Sequence, residues 1–198
     1  MPDTMVRMGE LAVSGRPDDA LAAIGLGSCI GLVLLDGSHP RVGLAHVVLP
    51  DSSAHRGDPS GPPPGKFADT AVPALVDALI ASGARRSRLG AVLVGGAAMF
   101  ALRPDRTGQD VGRRNVEAVR RALQERAIPV LAADTGGSTG RTLRVHPGGA
   151  VVVRMAGAGE RVLLDPARDA APTTTRAPRP AAVLRAVTIP TTGRVATA

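Results

Sequence analysis

The sequence predicts a single α/β (α+β) domain in which aliphatic strands are interrupted by two helices. Two observations predict it. Hydrophobic residues make up 44% of the 198 residues, yet there are only two Phe and neither Tyr nor Trp, so the core must be built from Ala, Val, Leu and Ile. Short branched apolar runs bounded by Gly, Pro or Asp recur along the chain, broken by two stretches with helical apolar spacing.

The elements follow in order. Residues 1–19 form a polar N-terminal segment, broken by Gly15 and Pro17. "GLGSC", ending at Cys29, reads as a glycine-spaced loop with no clear strand before it. "IGLVLLD" at 30–36 and "RVGLAHVVLP" at 41–50 read as two strands, and "GSHP" turns the chain between them into a β-hairpin. Residues 51–65, with three consecutive prolines, carry every signal of a loop. Residues 66–84 read as a helix with Ala71, Leu75, Ala78 and Leu79 at helical spacing and Gly83 at its stop. Pro73 either bends its first turns or marks its true start. "LGAVLVGGAAM" at 89–99 reads as a buried strand running into a glycine corner. Residues 114–128 read as a second helix with Val116, Val119, Leu123 and Ala127 on one face. "IPVLAAD", "RTLRVHP" and "AVVVRM" read as three further strands, and "PGG" turns the chain between the last two. The Ala/Pro/Thr/Arg-rich residues 156–198 are expected to form a disordered tail.

Several function classes are disfavoured. One cysteine allows no intrachain disulfide, which argues against a secreted scaffold. The N-terminus lacks a basic region followed by an apolar one, and no apolar run reaches the ~18 residues of a membrane span. No membrane insertion and a cytoplasmic location are therefore expected. The net charge is +7, almost all of it arginine, with Lys66 the only lysine. No stretch interleaves arginine with aromatics, so the charge reads as a compositional bias and no nucleic-acid partner is expected. No His, Cys and carboxylate cluster has ligand spacing, so no metal site is expected. "GLGSCIG" lacks the context of a dinucleotide loop because a strand, not a helix, follows it.

Cys29 is the residue that asks for an explanation, since a lone cysteine is ordinarily a small buried hydrophobe. A nucleophilic thiolate needs a base nearby. Of the four histidines, His39 lies in a turn, His55 in the Pro/Gly loop and His146 at a strand end, while His46 lies in the second hairpin strand. With the turn near Ser38, paired positions sum to about 75–77. Cys29 then faces His46 directly, or faces Val48 with His46 diagonal, and both arrangements put the two side chains on one face. A slip of one residue separates them. Gly25 and Gly27 can adopt conformations closed to other residues, freeing N–H groups around Ser28 and Cys29 to receive an oxyanion. The competing reading is two unconnected residues on an ordinary hairpin.

The ordered motifs "GLGSC", "GLAHVVLP", "FADTAVPALVDALIASGA", "LVGGAAMF" and "GRRNVEAVRRALQERAIPVLAADTGGSTGR", then a glycine turn and a valine strand, resemble the CheD family. These are the chemoreceptor glutamine deamidases of bacterial chemotaxis. The resemblance assigns residues 20–155 to a deamidase domain. It implies a cysteine hydrolase fold of mixed β-sheets in a sandwich with helices packed outside. Cys29 matches the family nucleophile and His46 its base, with Gly27 and Ser28 supporting the loop. No cofactor or metal is implied. The implied partners are the cytoplasmic helices of methyl-accepting chemoreceptors and the phosphatase CheC. Arg113 and Arg114 of "GRRN" are candidates for substrate contact, while Gly95, Gly96, Gly112, Asn115, Asp134, Gly136, Gly137 and Arg141 read first as structural. Many family members carry Thr six residues before the cysteine, where this chain has Ala23. The alternative reading is therefore a CheD-like interaction module without useful catalysis.

Overall fold

A strand buried on both faces reads as a continuous apolar run rather than an alternating one. Ile30–Asp36 is such a run, and every residue in it is buried. In the computed structural model, which describes residues 3–14, 18–38, 40–53, 55, 61–98, 110–155 and 157–169, this strand lies in the middle layer of three. The strands are β1 (Thr4–Met5), β2 (Leu11–Val13), β3 (Leu21–Leu26), β4 (Ile30–Asp36), β5 (Val42–Val47), β6 (Leu89–Gly95), β7 (Val130–Thr135), β8 (Arg141–Val145), β9 (Val151–Met155) and β10 (Glu160–Leu164). The helices are α1 (Ala68–Ala81), α2 (Asp110–Gln124) and the short α3 (Pro166–Asp169).

The middle sheet has the order β2-β5-β4-β6-β7 and the outer sheet β1-β3-β8-β9-β10. Both are mixed, because β6/β7 and β1/β3 run parallel and the remaining pairs antiparallel. Period-two alternation divides the middle sheet's side chains between two cores. Ile30, Leu32, Leu34, Ala45, Val47 and Leu93 pack against α1 and α2. Val33, Leu35, Leu44, Val92 and Val94 meet Leu21, Leu26, Leu143 and Val153 of the outer sheet. The architecture is the mixed-sheet sandwich with external helices that the family resemblance implies. Among the described residues no helix is long and apolar enough to cross a membrane.

The helices form for legible reasons and end for less legible ones. α1 buries Ala68, Ala71, Val72, Leu75, Val76 and Leu79, a stripe at i, i+3, i+4 and i+7 spacing. Pro73 lies inside α1 and does not mark its start. α2 begins and ends four residues earlier than expected. Ala127 is not on its buried face: it caps the helix with φ 54°, while the Ile128 N–H donates to the Leu123 carbonyl at 3.0 Å. That six-to-one bond is a Schellman closure, which glycine ordinarily supplies.

Four strands and the short α3 escape the sequence reading. β1 and β2 lie within the polar N-terminal segment, β3 precedes the "GLGSC" loop, and β10 pairs with β9 beyond Met155. β1, β2 and β10 are edge strands with few residues in which periodicity can show itself, and β3 is interrupted by a register shift between Ala23 and Leu26. The paired region therefore extends past the expected start of the tail. Ala156 and residues 170–198 of that tail lie outside the described residues, as do His39 and part of the 51–65 loop.

Two carboxylates, Asp36 buried and Asp134 partly buried, tie the layers. Asp36 closes the hairpin turn by accepting the Ser38 N–H at 3.0 Å and the Arg85 N–H at 2.9 Å. Asp134 of β7 joins the two sheets by accepting from Arg141 of β8 at 2.9 Å and pairing with Arg161 of β10 at 2.6 Å. Burial would raise the Asp134 pKa, but hydrogen bonds and charge from the two arginines overcome it and hold the carboxyl below its ordinary value.

Two stability predictions follow from these contacts. Ala127→Gly removes the cost of a left-handed alanine, so it should stabilise by about 1 kcal/mol and raise the Tm by about 2–4 °C in a thermal melt. Asp134→Asn leaves Arg141, only 5% exposed, without its counter-charge and should cost about 3 kcal/mol at pH 7 in urea unfolding. The stabilisation from a depressed carboxyl is complete above its unfolded value of 3.8 and is lost as the pH falls through the folded value. The wild type should therefore weaken below about pH 4, and the Asn variant should show a shallower dependence there.

Candidate active site

β3 does not run straight into the loop. Its register against β8 shifts between Ala23 and Leu26, and Gly25 sits in this bulge at φ 74° while Ile24 turns outward. The bulge re-aims the chain so that residues 27–29 cross from the outer sheet to the middle one. Gly27 does not take the left-handed conformation expected of it. Its N–H is also committed, donating to the Gly25 carbonyl at 2.9 Å.

The loop is held through its carbonyls. Ala97 N–H donates to Gly27 O at 2.7 Å, and Gly96 N–H to Cys29 O at 2.9 Å. Asn115 Nδ2 donates to Ser28 O at 2.9 Å. Gly95 and Gly96 permit this approach: a Cβ on Gly95 would run into the Cys29 carbonyl, and one on Gly96 would come within 2.5 Å of Val116. Behind them Gly136 N–H donates to Gly95 O, and Ala98 N–H to Gly137 O. Among the described residues, the Ser28 and Cys29 N–H groups meet no backbone carbonyl.

The hairpin register brings Cys29 and His46 to one face. Ile30 pairs with Val47 and Gly31 with His46, so positions sum to 77 and His46 lies diagonal to Cys29. Both side chains are buried, at 9% and 2% exposure. They do not hydrogen-bond to each other, and among the described residues His46 Nε2 is buried without a partner.

The other ring nitrogen is held. His46 Nδ1 lies 3.3 Å from Val6 O, and since a carbonyl only accepts, Nδ1 carries the proton and Nε2 a free lone pair. Val6 is itself fixed through its N–H to Ala22 O at 2.8 Å. The backbone of His46 is bracketed by Gly9 and Glu10, each at 2.9 Å. The N-terminal segment thus supplies the imidazole's orienting group. No side-chain signal marks this, because the group is a main-chain carbonyl.

Burial sets the protonation states. It pushes the Cys29 thiol above its ordinary value, with the residue's own N–H pulling the other way. Burial also lowers the His46 pKa, opposed by the Val6 carbonyl and by the charge of Glu10. The resting pair is therefore a neutral thiol and a neutral base.

Of the remaining candidates, the structure separates the two arginines. Arg114 lines a cleft with Leu49, Asp51, His55, Phe67 and Val111, beside the point where β5 ends. Arg113 pairs with Glu117 at 2.7 Å on the exposed surface of α2. Asn115 does not cap α2 as its position near the helix start suggests. It points inward on the Val119 stripe, fully buried, and bridges Ser28 O to Val48 O. A polar residue on an apolar helical stripe is the sequence signal that could have marked it.

The chain matches known proteins over most of this region. Residues 48–155 match the family model described as CheD chemotactic sensory transduction. A Symbiobacterium thermophilum protein named a probable chemoreceptor glutamine deamidase CheD is 50% identical over 160 residues, covering 80% of this chain and 95% of that one. The Halalkalibacterium halodurans chemoreceptor glutamine deamidase CheD is 44% identical over 142 residues, covering 72% of this chain and 86% of its own. A Clostridium botulinum Eklund 17B protein, also named a probable chemoreceptor glutamine deamidase CheD, is 37% identical over 162 residues, covering 80% and 98%.

The geometry around His46 has a spectroscopic consequence. At pH 7 nitrogen-15 NMR should show a neutral ring protonated at Nδ1. The ring should gain its second proton only when the pH falls below the ordinary 6.5. An imidazolium at pH 7 would mean that the ring sits in a wetter or more acidic environment than described.

Proposed function

The chain belongs to the CheD family, and from that membership we propose that it is a chemoreceptor glutamine deamidase with Cys29 as nucleophile and His46 as base. The observation that carries this reading is the unpartnered, buried Nε2 of His46 on the same face as the sole cysteine. A buried lone pair without a donor is costly in an ordinary core and useful beside a thiol.

The chemistry proceeds through the chain's own groups. A receptor glutamine places its side-chain carboxamide at Cys29. Nε2 takes the thiol proton as Sγ bonds to the amide carbon, and the carbonyl electrons move onto oxygen. The N–H groups of Ser28 and Cys29 receive that oxyanion. Nε2 returns the proton to the amide nitrogen, the C–N bond breaks and ammonia leaves. The thioester that remains is attacked by water, which gives a proton to Nε2. The C–S bond then breaks, releasing glutamate and restoring the thiol. Because thiol and imidazole both rest neutral, proton transfer accompanies attack and no preformed ion pair is needed.

Ala23 of β3 stands where the family resemblance implies Thr, and it is fully buried, paired with Leu143 of β8. The Val6 carbonyl already orients the imidazole, so Ala23 is compatible with activity. The acceptor helices belong to the cytoplasmic part of receptors, which places the reaction in the cytoplasm. Arg114, in the cleft lined by Leu49, Asp51 and His55, is the arginine we assign to contact with such a helix. A CheC-type phosphatase is the second partner that family membership suggests.

The test is ammonia release from a receptor cytoplasmic fragment of the same organism. Cys29→Ala should abolish it in a folded protein, and His46→Gln should reduce kcat by about 10²–10⁴-fold. Unchanged release from Cys29→Ala would rule out this mechanism.

A further inference from the structure

Among the loop's three held carbonyls, two are held by backbone N–H groups, which any sequence would supply. The third, Ser28 O, is held by the Asn115 side chain. The same Nδ2 donates to Val48 O at 2.9 Å. Both acceptors are carbonyl oxygens, so the amide must present its NH₂ to them, and both of its protons are spent. Its Oδ1 is left buried with no partner. An unpaired buried oxygen costs about 1–3 kcal/mol. An aliphatic residue on the Val119 stripe would avoid that cost, so the amide serves something other than core packing.

The bridge lies where the hairpin ladder stops. β4 and β5 pair as far as Ile30 and Val47, and the next pair would be Cys29 and Val48. Asn115 instead bonds to one carbonyl on each chain and closes the end of the ladder. Direction follows from peptide geometry. The Ser28–Cys29 peptide bond is trans, and in a trans peptide the C=O and N–H point opposite ways. Ser28 O and Cys29 N–H belong to one peptide plane. Fixing the carbonyl toward α2 therefore aims the N–H away from α2. Gly112 lets α2 approach closely enough to do this, since a Cβ there would lie 2.6 Å from Gly96 O.

Resting on the deamidase reading, we propose that Asn115 is a positioning residue for this reaction: by holding Ser28 O it aims the Cys29 N–H at the oxyanion. It touches neither substrate nor sulfur and acts through the peptide plane. The same N–H also favours the Cys29 thiolate, so mis-aiming it should be felt by the free thiol as well.

Asn115→Ala and Asn115→Ser are compared with wild type for ammonia release from the receptor fragment, Cys29 alkylation by iodoacetamide at pH 8, and thermal melting. Asn115→Ala should lower kcat by about 10²–10³-fold, the scale of a lost oxyanion donor, with KM within about twofold. Its alkylation should slow by about tenfold, the scale of one hydrogen bond to a charged group. Asn115→Ser keeps one donor and should fall between Ala and wild type in both readouts. It is the deciding variant should Ala not fold. A folded variant with kcat and alkylation within about threefold of wild type would overturn the proposal, as would a KM that rises in step with the fall in kcat. If the wild type itself releases no ammonia, the deamidase reading falls, and the alkylation comparison alone decides the clamp.

Discussion

The candidate site depends on one constraint: three successive carbonyls, of Gly27, Ser28 and Cys29, are bound from the interior by Ala97, Asn115 and Gly96. A loop that surrenders its acceptors inward has its donors left over. That asymmetry converts a connection between two sheets into a place where a developing negative charge can be received. The glycines around it are there for approach. Gly95 and Gly96 bring the end of β6 against the loop, and the Gly136–Gly137 turn braces that end in turn. The Asp134–Arg141 pair is built into the same turn, since Arg141 also donates to Gly136 O at 2.9 Å and Thr139 O at 3.1 Å. A stability element and a site-forming element therefore share residues.

The second half of the site comes from the other end of the chain. His46 is oriented by Val6 and bracketed by Gly9 and Glu10, all in the segment that precedes β3. Burial keeps both the thiol and the imidazole neutral, so the unfolded chain binds a proton near pH 6.5 that the folded ring refuses. His46 therefore withdraws stability as the pH falls below that value, and does so at no cost above it. That penalty falls in acid, where the Asp36 and Asp134 carboxylates also weaken the fold.

Much of this was legible in the sequence where side chains carry the signal. The hairpin could be read from a short turn between two long apolar runs, which narrows its register to sums of about 75–77; the structure takes 77 and so sets which side chains share a face. α1 could be read from its stripe. What stayed hidden is carried by the backbone or by short pairings. β1 has two residues, and its contribution is the alignment of a segment ending in the Val6 carbonyl. β3 looked unlike a strand because its bulge interrupts the alternation at Gly25. Gly27 looked free because glycine permits positive φ, yet permission is not use. Ala127 looked like part of a stripe and is instead a left-handed cap. Asn115 looked like a helix-start residue, and only the three-dimensional meeting of α2 with the end of β5 shows what its amide holds.

The central claim is that this thiol converts receptor glutamines to glutamates. It is tested most directly by peptide mass mapping of a receptor cytoplasmic fragment after incubation with wild type and with Cys29→Ala in parallel. Replacing an amide by a carboxyl adds ~1 Da per event. That gain should appear at a few defined glutamines with the wild type and at none with the variant. Equal gains in the two samples, or no gain in either while the fragment still binds, would contradict it.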